Sequence, residues 1–103
     1  MKKTMRFEKW RKKVLIEVLE YEGQTWIDLK NPRTKVDIAT VTTGLRVGVP
    51  KNHVAIRDYS ENTGVLDFLI EAGVVEQPAF YVPSGFVNIP VCKLLVEPTK
   101  FNY

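Results

Sequence analysis

A chain of 103 residues is long enough for one hydrophobic core and too short for two, and its 45% hydrophobic and 26% charged residues exclude a disordered or fibrous polymer. One cysteine, Cys92, excludes an internal disulfide, and one histidine, His53, leaves too few soft ligands for a structural zinc site. The net charge of +3 is uneven: residues 1–13 carry seven cations against Glu8, a local +6, and the remainder is net acidic at −3.

The longest uncharged apolar run, "FVNIPV", is far short of the roughly 20 residues of a membrane span, and "MKKTMRFEKWRKK" lacks the apolar core of a secretory signal. A cytoplasmic protein that does not enter membranes is therefore expected. The sequence divides into a basic N-terminal arm, residues 1–13, and a single α+β domain, residues 14–103.

In chain order, "KVLIEVLEYE" places Val14, Ile16 and Val18 on one face and Leu15, Leu19 and Tyr21 on the other, the period of a strand. Glu22-Gly23 turns the chain into "QTWIDLK", and the Asn31-Pro32 pair reverses it again into "KVDIATVTTGL". The result is an antiparallel meander. The Gly- and Pro-containing segment Gly44 to Asp58 reads as a surface connection with an extended piece at "HVAIR".

In "RDYSENTGVLDFLIEAG", Asp58, Ser60 and Asn62 are good N-caps, and Val65, Leu66, Leu69, Ile70 and Ala72 recur at helical spacing. Asp58 and Glu61 have the separation of a capping box, and Gly73 stands where a left-handed C-terminal cap belongs. Capping alone accounts for this polar cluster, because acidic groups in a first turn satisfy free N–H groups and the helix dipole. Further on, "PAFYVPSGFVNIPVCKLLV" reads as two strands about a Pro83-Ser84-Gly85 turn, with Pro90 at an edge or bulge, before a polar tail "EPTKFNY". The expected fold is an antiparallel sheet of about five strands packed on one main helix.

No catalytic constellation emerges. Ser60 and Ser84 lie in a cap and a turn, His53 reads as a loop residue, and Cys92 reads as a small hydrophobe in a strand. "GLRVGVPK" lacks the spacing of a phosphate-binding loop, so no metal and no nucleotide cofactor is implied. Two charged sets remain as binding candidates. Lys2, Lys3, Arg6, Lys9, Arg11, Lys12 and Lys13, with Trp10 among them, combine phosphate-neutralising cations with a stacking ring, as single-stranded RNA or DNA binding requires. Glu61, Asp67, Glu71 and Glu76 form an acidic set suited to a basic protein surface.

The stretch from residue 57 to 95 resembles a family of small proteins carried on conjugative elements, plasmids and phages of Gram-positive bacteria. The resemblance rests on "SENTGVLDFLIEAGVVE", on "VPSGFV" and on "PVC", whose Gly73, Pro83, Gly85 and Pro90 have structural explanations. It covers the second half of the chain, and the basic arm and the "TTGLRVGVPKNH" connection depart from it. The resemblance implies no enzymatic activity and no catalytic residue. Its mobile-element context implies a stoichiometric binder of a host protein, with a CRISPR effector nuclease of the Cas9 type as the candidate target, and thus an anti-CRISPR inhibitor. The alternative is a nucleic-acid-binding accessory of conjugation or element maintenance that uses the basic arm.

Overall fold

The computed structural model describes residues 1–44 and 48–100. The α+β class holds: strands build two sheets, and one helix covers the core. A five-stranded sheet is formed by β1 (Lys2–Phe7), β2 (Lys12–Tyr21), β3 (Gln24–Lys30), β4 (Asp37–Thr40) and β8 (Thr99–Lys100). A second sheet has the order β5 (His53–Ala55), β7 (Val87–Leu94) and β6 (Val75–Ser84). The described residues hold eight strands where about five were expected, because the two chain ends supply β1 and β8 and the short extended piece at His53–Ala55 forms β5.

The basic segment 1–13 is not an arm outside a domain that starts at residue 14. Lys2–Phe7 pairs antiparallel with β2, Lys2 opposite Glu17 and Phe7 opposite Lys12, and a 3-10 turn, Glu8–Trp10, connects the two strands. Alternation explains why so charged a segment folds: Lys3, Met5 and Phe7 share the inner face with Ile16 and Val14, while Lys2, Thr4 and Arg6 share the outer face. Phe7 is buried and stacks on Phe68 of the helix, with ring centres 4.4 Å apart and planes 3° from parallel. At the opposite chain end, the expected polar tail contributes β8, which runs parallel to β2 at Leu19 and Glu20, and residues 101–103 of that tail lie outside the described chain.

The turn between β2 and β3 has positive φ at both Glu22 (50°) and Gly23 (77°), the mirror-image turn whose twist suits a hairpin. Asn31 Oδ1 accepts the N–H groups of Arg33 and Thr34 at 2.9 and 3.0 Å, closing the reversal before β4. The two sheets are joined where the extension of β4 meets residues 55–57: Thr43 N–H donates to Ala55 O at 3.0 Å and Arg57 N–H to Val41 O at 2.7 Å. Of the expected connection from Gly44 to Asp58, residues 45–47 are outside the described chain, and His53–Ala55 forms β5. His53 is half-buried in that strand and not in an exposed loop, its Nδ1 2.8 Å from Lys51 O.

Helix α1 (Val65–Glu71) is shorter than a helix starting at Asp58. Ser60–Asn62 forms a 3-10 turn instead, and left-handed φ values at Ser60 (53°) and Gly64 (98°) swing the chain into the helix. Asp58 nevertheless caps it from a distance: its Oδ1 accepts the N–H groups of Gly64 at 2.8 Å and Leu66 at 3.2 Å. At the other end Gly73 (φ 76°) donates to Ile70 O and Val74 donates to Leu69 O, both at 3.0 Å, the paired bonds of a Schellman cap. Val65, Leu66, Phe68, Leu69 and Ala72 bury one helix face against Val14, Ile16, Val18, Ile27, Leu29 and Cys92.

Ala55, Ile89 and Val91, with Tyr59, Val82 and Val87 against them, make a smaller core under the β6–β7 hairpin. That hairpin turns at Gly85-Phe86, with φ 60° at Gly85, and not at Pro83-Ser84-Gly85. Pro90 is buried in the central strand opposite Tyr81, and the irregularity lies in the partner strand between Pro78 and Phe80, which face Cys92 and Val91. No described helix is long and apolar enough to cross a membrane.

Candidate functional site

The basic residues are committed unequally. Lys2 Nζ lies 3.4 Å from Glu17 Oε2, and Arg6 Nε donates to Glu8 Oε1 at 2.7 Å. Lys3 Nζ donates to Ala72 O at 3.0 Å, placing a cation on the carbonyl end of α1. Lys9 lays its stem against Gly64, where a Cβ would come within 2.7 Å of Lys9 Cδ. Arg11 takes a left-handed turn (φ 53°), and Lys13 stands across the strand pair from Arg6. Lys9, Arg11, Lys12 and Lys13 are exposed around the β1–β2 connection, and none of them is in an ion pair with another described residue.

Trp10, half-buried at the same connection, packs on Phe7 with ring centres 4.7 Å apart. Lys12 Nζ sits 5.7 Å from the centre of its ring. One ring therefore both anchors the turn to the core and supports a cation.

All four acidic candidates are exposed. Asp67 and Glu71 stand one turn apart on α1, Glu61 lies in the 3-10 turn before it, and Glu76 opens β6 after it. None of the four is ion-paired with a described residue. Through the Phe7–Phe68 stack, the Lys3 bond to Ala72 O and the Lys9 stem at Gly64, β1 and its following turn pack on α1, the helix that carries Asp67 and Glu71.

Two features escaped the sequence reading. The first is a polar network on the outer face of the larger sheet. Glu17, 7% exposed, accepts from Lys30 Nζ at 2.7 Å and faces Lys2, and Lys30 also lies 3.7 Å from Asp37. The hydrogen bond from Lys30 holds the Glu17 carboxyl below the usual carboxylate range and raises the Lys30 ammonium in turn. Burial raises the neighbouring Asp28, which accepts from Thr40 Oγ1 at 2.8 Å. The sequence signal of this network was Glu17 set between the apolar Ile16 and Val18 of β2. Cys92, by contrast, is where the sequence placed it, a buried strand residue whose thiol burial pushes up to about 11.

The second feature is a cleft of about 480 Å³ lined by Trp10, Lys12, Ile38, Ala39, Thr40, Arg57, Glu61 and Asn62. It gathers Trp10 and Lys12 from the basic set and Glu61 from the acidic set, and leaves Asp67, Glu71 and Glu76 outside its lining. The chain matches no family model, no curated protein and no solved structure. Arg57, which precedes the capping aspartate in sequence, also lines the cleft, and its Nε is buried with no hydrogen-bond partner among the described residues. A larger cleft of about 720 Å³, passing Trp26, Asn52 and Glu97, is bounded by Gly44 and Gly48 on either side of residues 45–47.

Proposed function

We propose that this protein is a non-enzymatic binder from a mobile element that inhibits a host defence nuclease, with a CRISPR effector of the Cas9 type as the target. The supporting observation is the contrast between the two charged sets. All four of Glu61, Asp67, Glu71 and Glu76 are exposed carboxylates free of ion pairs among the described residues, whereas three of the seven basic candidates, Lys2, Lys3 and Arg6, are engaged within the fold. An effector that holds RNA and DNA in channels lined by Lys and Arg offers such an acidic surface a complementary one. The resemblance of residues 57–95 to mobile-element proteins supplies the biological context.

The test is inhibition of purified effector by the protein and by a variant with lysine at positions 61, 67, 71 and 76. Inhibition falling by at least about tenfold, with the fold retained by circular dichroism, is expected, since tenfold corresponds to about 1.4 kcal/mol. Undiminished inhibition would dispose of the acidic-face reading.

A second reading, a nucleic-acid-binding accessory, is favoured by the clustering of Lys9, Arg11, Lys12 and Lys13 around Trp10. Association with single-stranded DNA or RNA in the absence of protein partners, weakening with salt by a logarithmic slope of about 0.7 per neutralised phosphate, distinguishes it.

A further inference from the structure

The cleft beside Trp10 joins Trp10, Lys12 and Glu61 of the two charged sets to Arg57, which neither charged-surface reading uses. Arg57 is fixed at the junction of the two sheets by its N–H bond to Val41 O, and its guanidinium carbon lies 5.8 Å from the Tyr59 ring centre. Its Nε is buried without an acceptor among the described residues, so a ligand in the cleft meets the other nitrogens of the guanidinium and not Nε. Oxyanions suit those nitrogens best, because phosphate matches the planar, charged face of arginine.

Lys12 adds a second cation on the same lining, and its long exposed side chain is free to swing from the Trp10 ring toward an anion. Trp10 and Ile38 supply an apolar wall. A volume of about 480 Å³ is within the range of small-molecule sites and exceeds what an oxyanion alone needs.

We propose that this cleft binds a nucleotide-type phosphate monoester, its phosphate held by Arg57 and Lys12 and its flat base against the Trp10 wall. Glu61 and Asn62 offer hydrogen-bonding groups for the base edge, Glu61 as an acceptor for an exocyclic amino group. Two cations against one carboxylate favour a monophosphate over a triphosphate, whose additional charges meet Glu61. This inference shares only Glu61 with the nuclease reading, since Asp67, Glu71 and Glu76 lie outside the cleft lining, and its test at Arg57 and Lys12 does not depend on that reading.

The experiment uses the full chain carrying Trp26→Phe, which leaves Trp10 as the single fluorescent tryptophan, titrated with AMP, adenosine, ATP and short oligonucleotides with and without a 5′-phosphate. AMP should change Trp10 emission saturably, with adenosine and ATP each weaker by at least about tenfold. Arg57→Gln should lose about tenfold in AMP affinity. Lys12→Gln, at an exposed position that does not endanger folding, should show a comparable loss. A 5′-phosphorylated oligonucleotide that binds as AMP does, while its unphosphorylated form does not, makes the ligand a strand end; binding by AMP alone makes it a free nucleotide, and both results support the site. Adenosine binding as tightly as AMP, AMP affinity unchanged in Lys12→Gln, or no saturable response up to about 10 mM AMP would overturn it.

Discussion

Glu17 sits on the outer face of the sheet with Lys30 at 2.7 Å and Lys2 at 3.4 Å, and is 7% exposed, so its charge is held in place by two cations from neighbouring strands. Glu17→Gln removes a charge-assisted hydrogen bond and leaves Lys30 in a half-buried position facing a neutral amide. A loss of about 1–2 kcal/mol in urea unfolding at pH 7 is expected. A carboxyl lowered on folding contributes stability that is complete above its unfolded value and lost as pH falls through the folded one. The gap between wild type and variant should therefore narrow below about pH 4.3. Asp28 works in the opposite sense, since burial raises it and its ionised form is disfavoured in the fold at neutral pH. Asp28→Asn keeps an oxygen for the Thr40 hydroxyl and should leave stability at pH 7 unchanged or raise it by up to about 1 kcal/mol. At Gly64, φ of 98° and the closeness of Lys9 penalise any side chain. Gly64→Ala should cost about 1–2 kcal/mol by thermal unfolding, chiefly through the backbone.

At the scale of elements, the segment that carries the basic charge is the one whose structure was least legible. Lys2 to Phe7 contains only two apolar side chains at alternating positions, Met5 and Phe7, and its pairing is completed by a Phe7–Phe68 contact between residues far apart in the chain. Local pattern thus conveys charge and conceals the strand. The β2–β3 hairpin was legible because Glu22-Gly23 imposes a turn whatever surrounds it, and the end of α1 because Gly73 supplies the left-handed cap. The start of α1 was misplaced because Asp58 caps across six residues to Gly64, a reach that local spacing does not encode. Phe7→Ala should destabilise the fold by about 3 kcal/mol or more, measured in urea, by emptying the space against Phe68. Deleting residues 1–13 would remove β1, the Phe7 stack and the start of β2 together, so charge-neutralising substitutions at Lys9, Arg11, Lys12 and Lys13 are the sound way to question the basic surface.

Over the whole molecule, charge that is segregated in sequence becomes adjacent in space. Packing of β1 and its turn on α1 brings the basic segment to the helix that carries Asp67 and Glu71, and the Trp10 cleft draws residues from both sets. The candidate residues were therefore legible one by one, while their grouping was not: Arg57 joins Trp10, Lys12 and Glu61 only because the link between the two sheets brings residue 57 beside β4. The hairpin of β6 and β7 carries further exposed apolar side chains, Phe80, Tyr81 and Phe86. Under the proposed function, partner choice rests on Glu61, Asp67, Glu71 and Glu76, carboxylates without an ion pair among the described residues. The decisive measurement is direct binding of the purified effector to wild-type protein, to the variant with lysine at positions 61, 67, 71 and 76, and to one with glutamine at 9, 11, 12 and 13. Loss of binding confined to the acidic-face variant is the predicted result; binding kept by that variant and lost with the basic cluster would contradict the account.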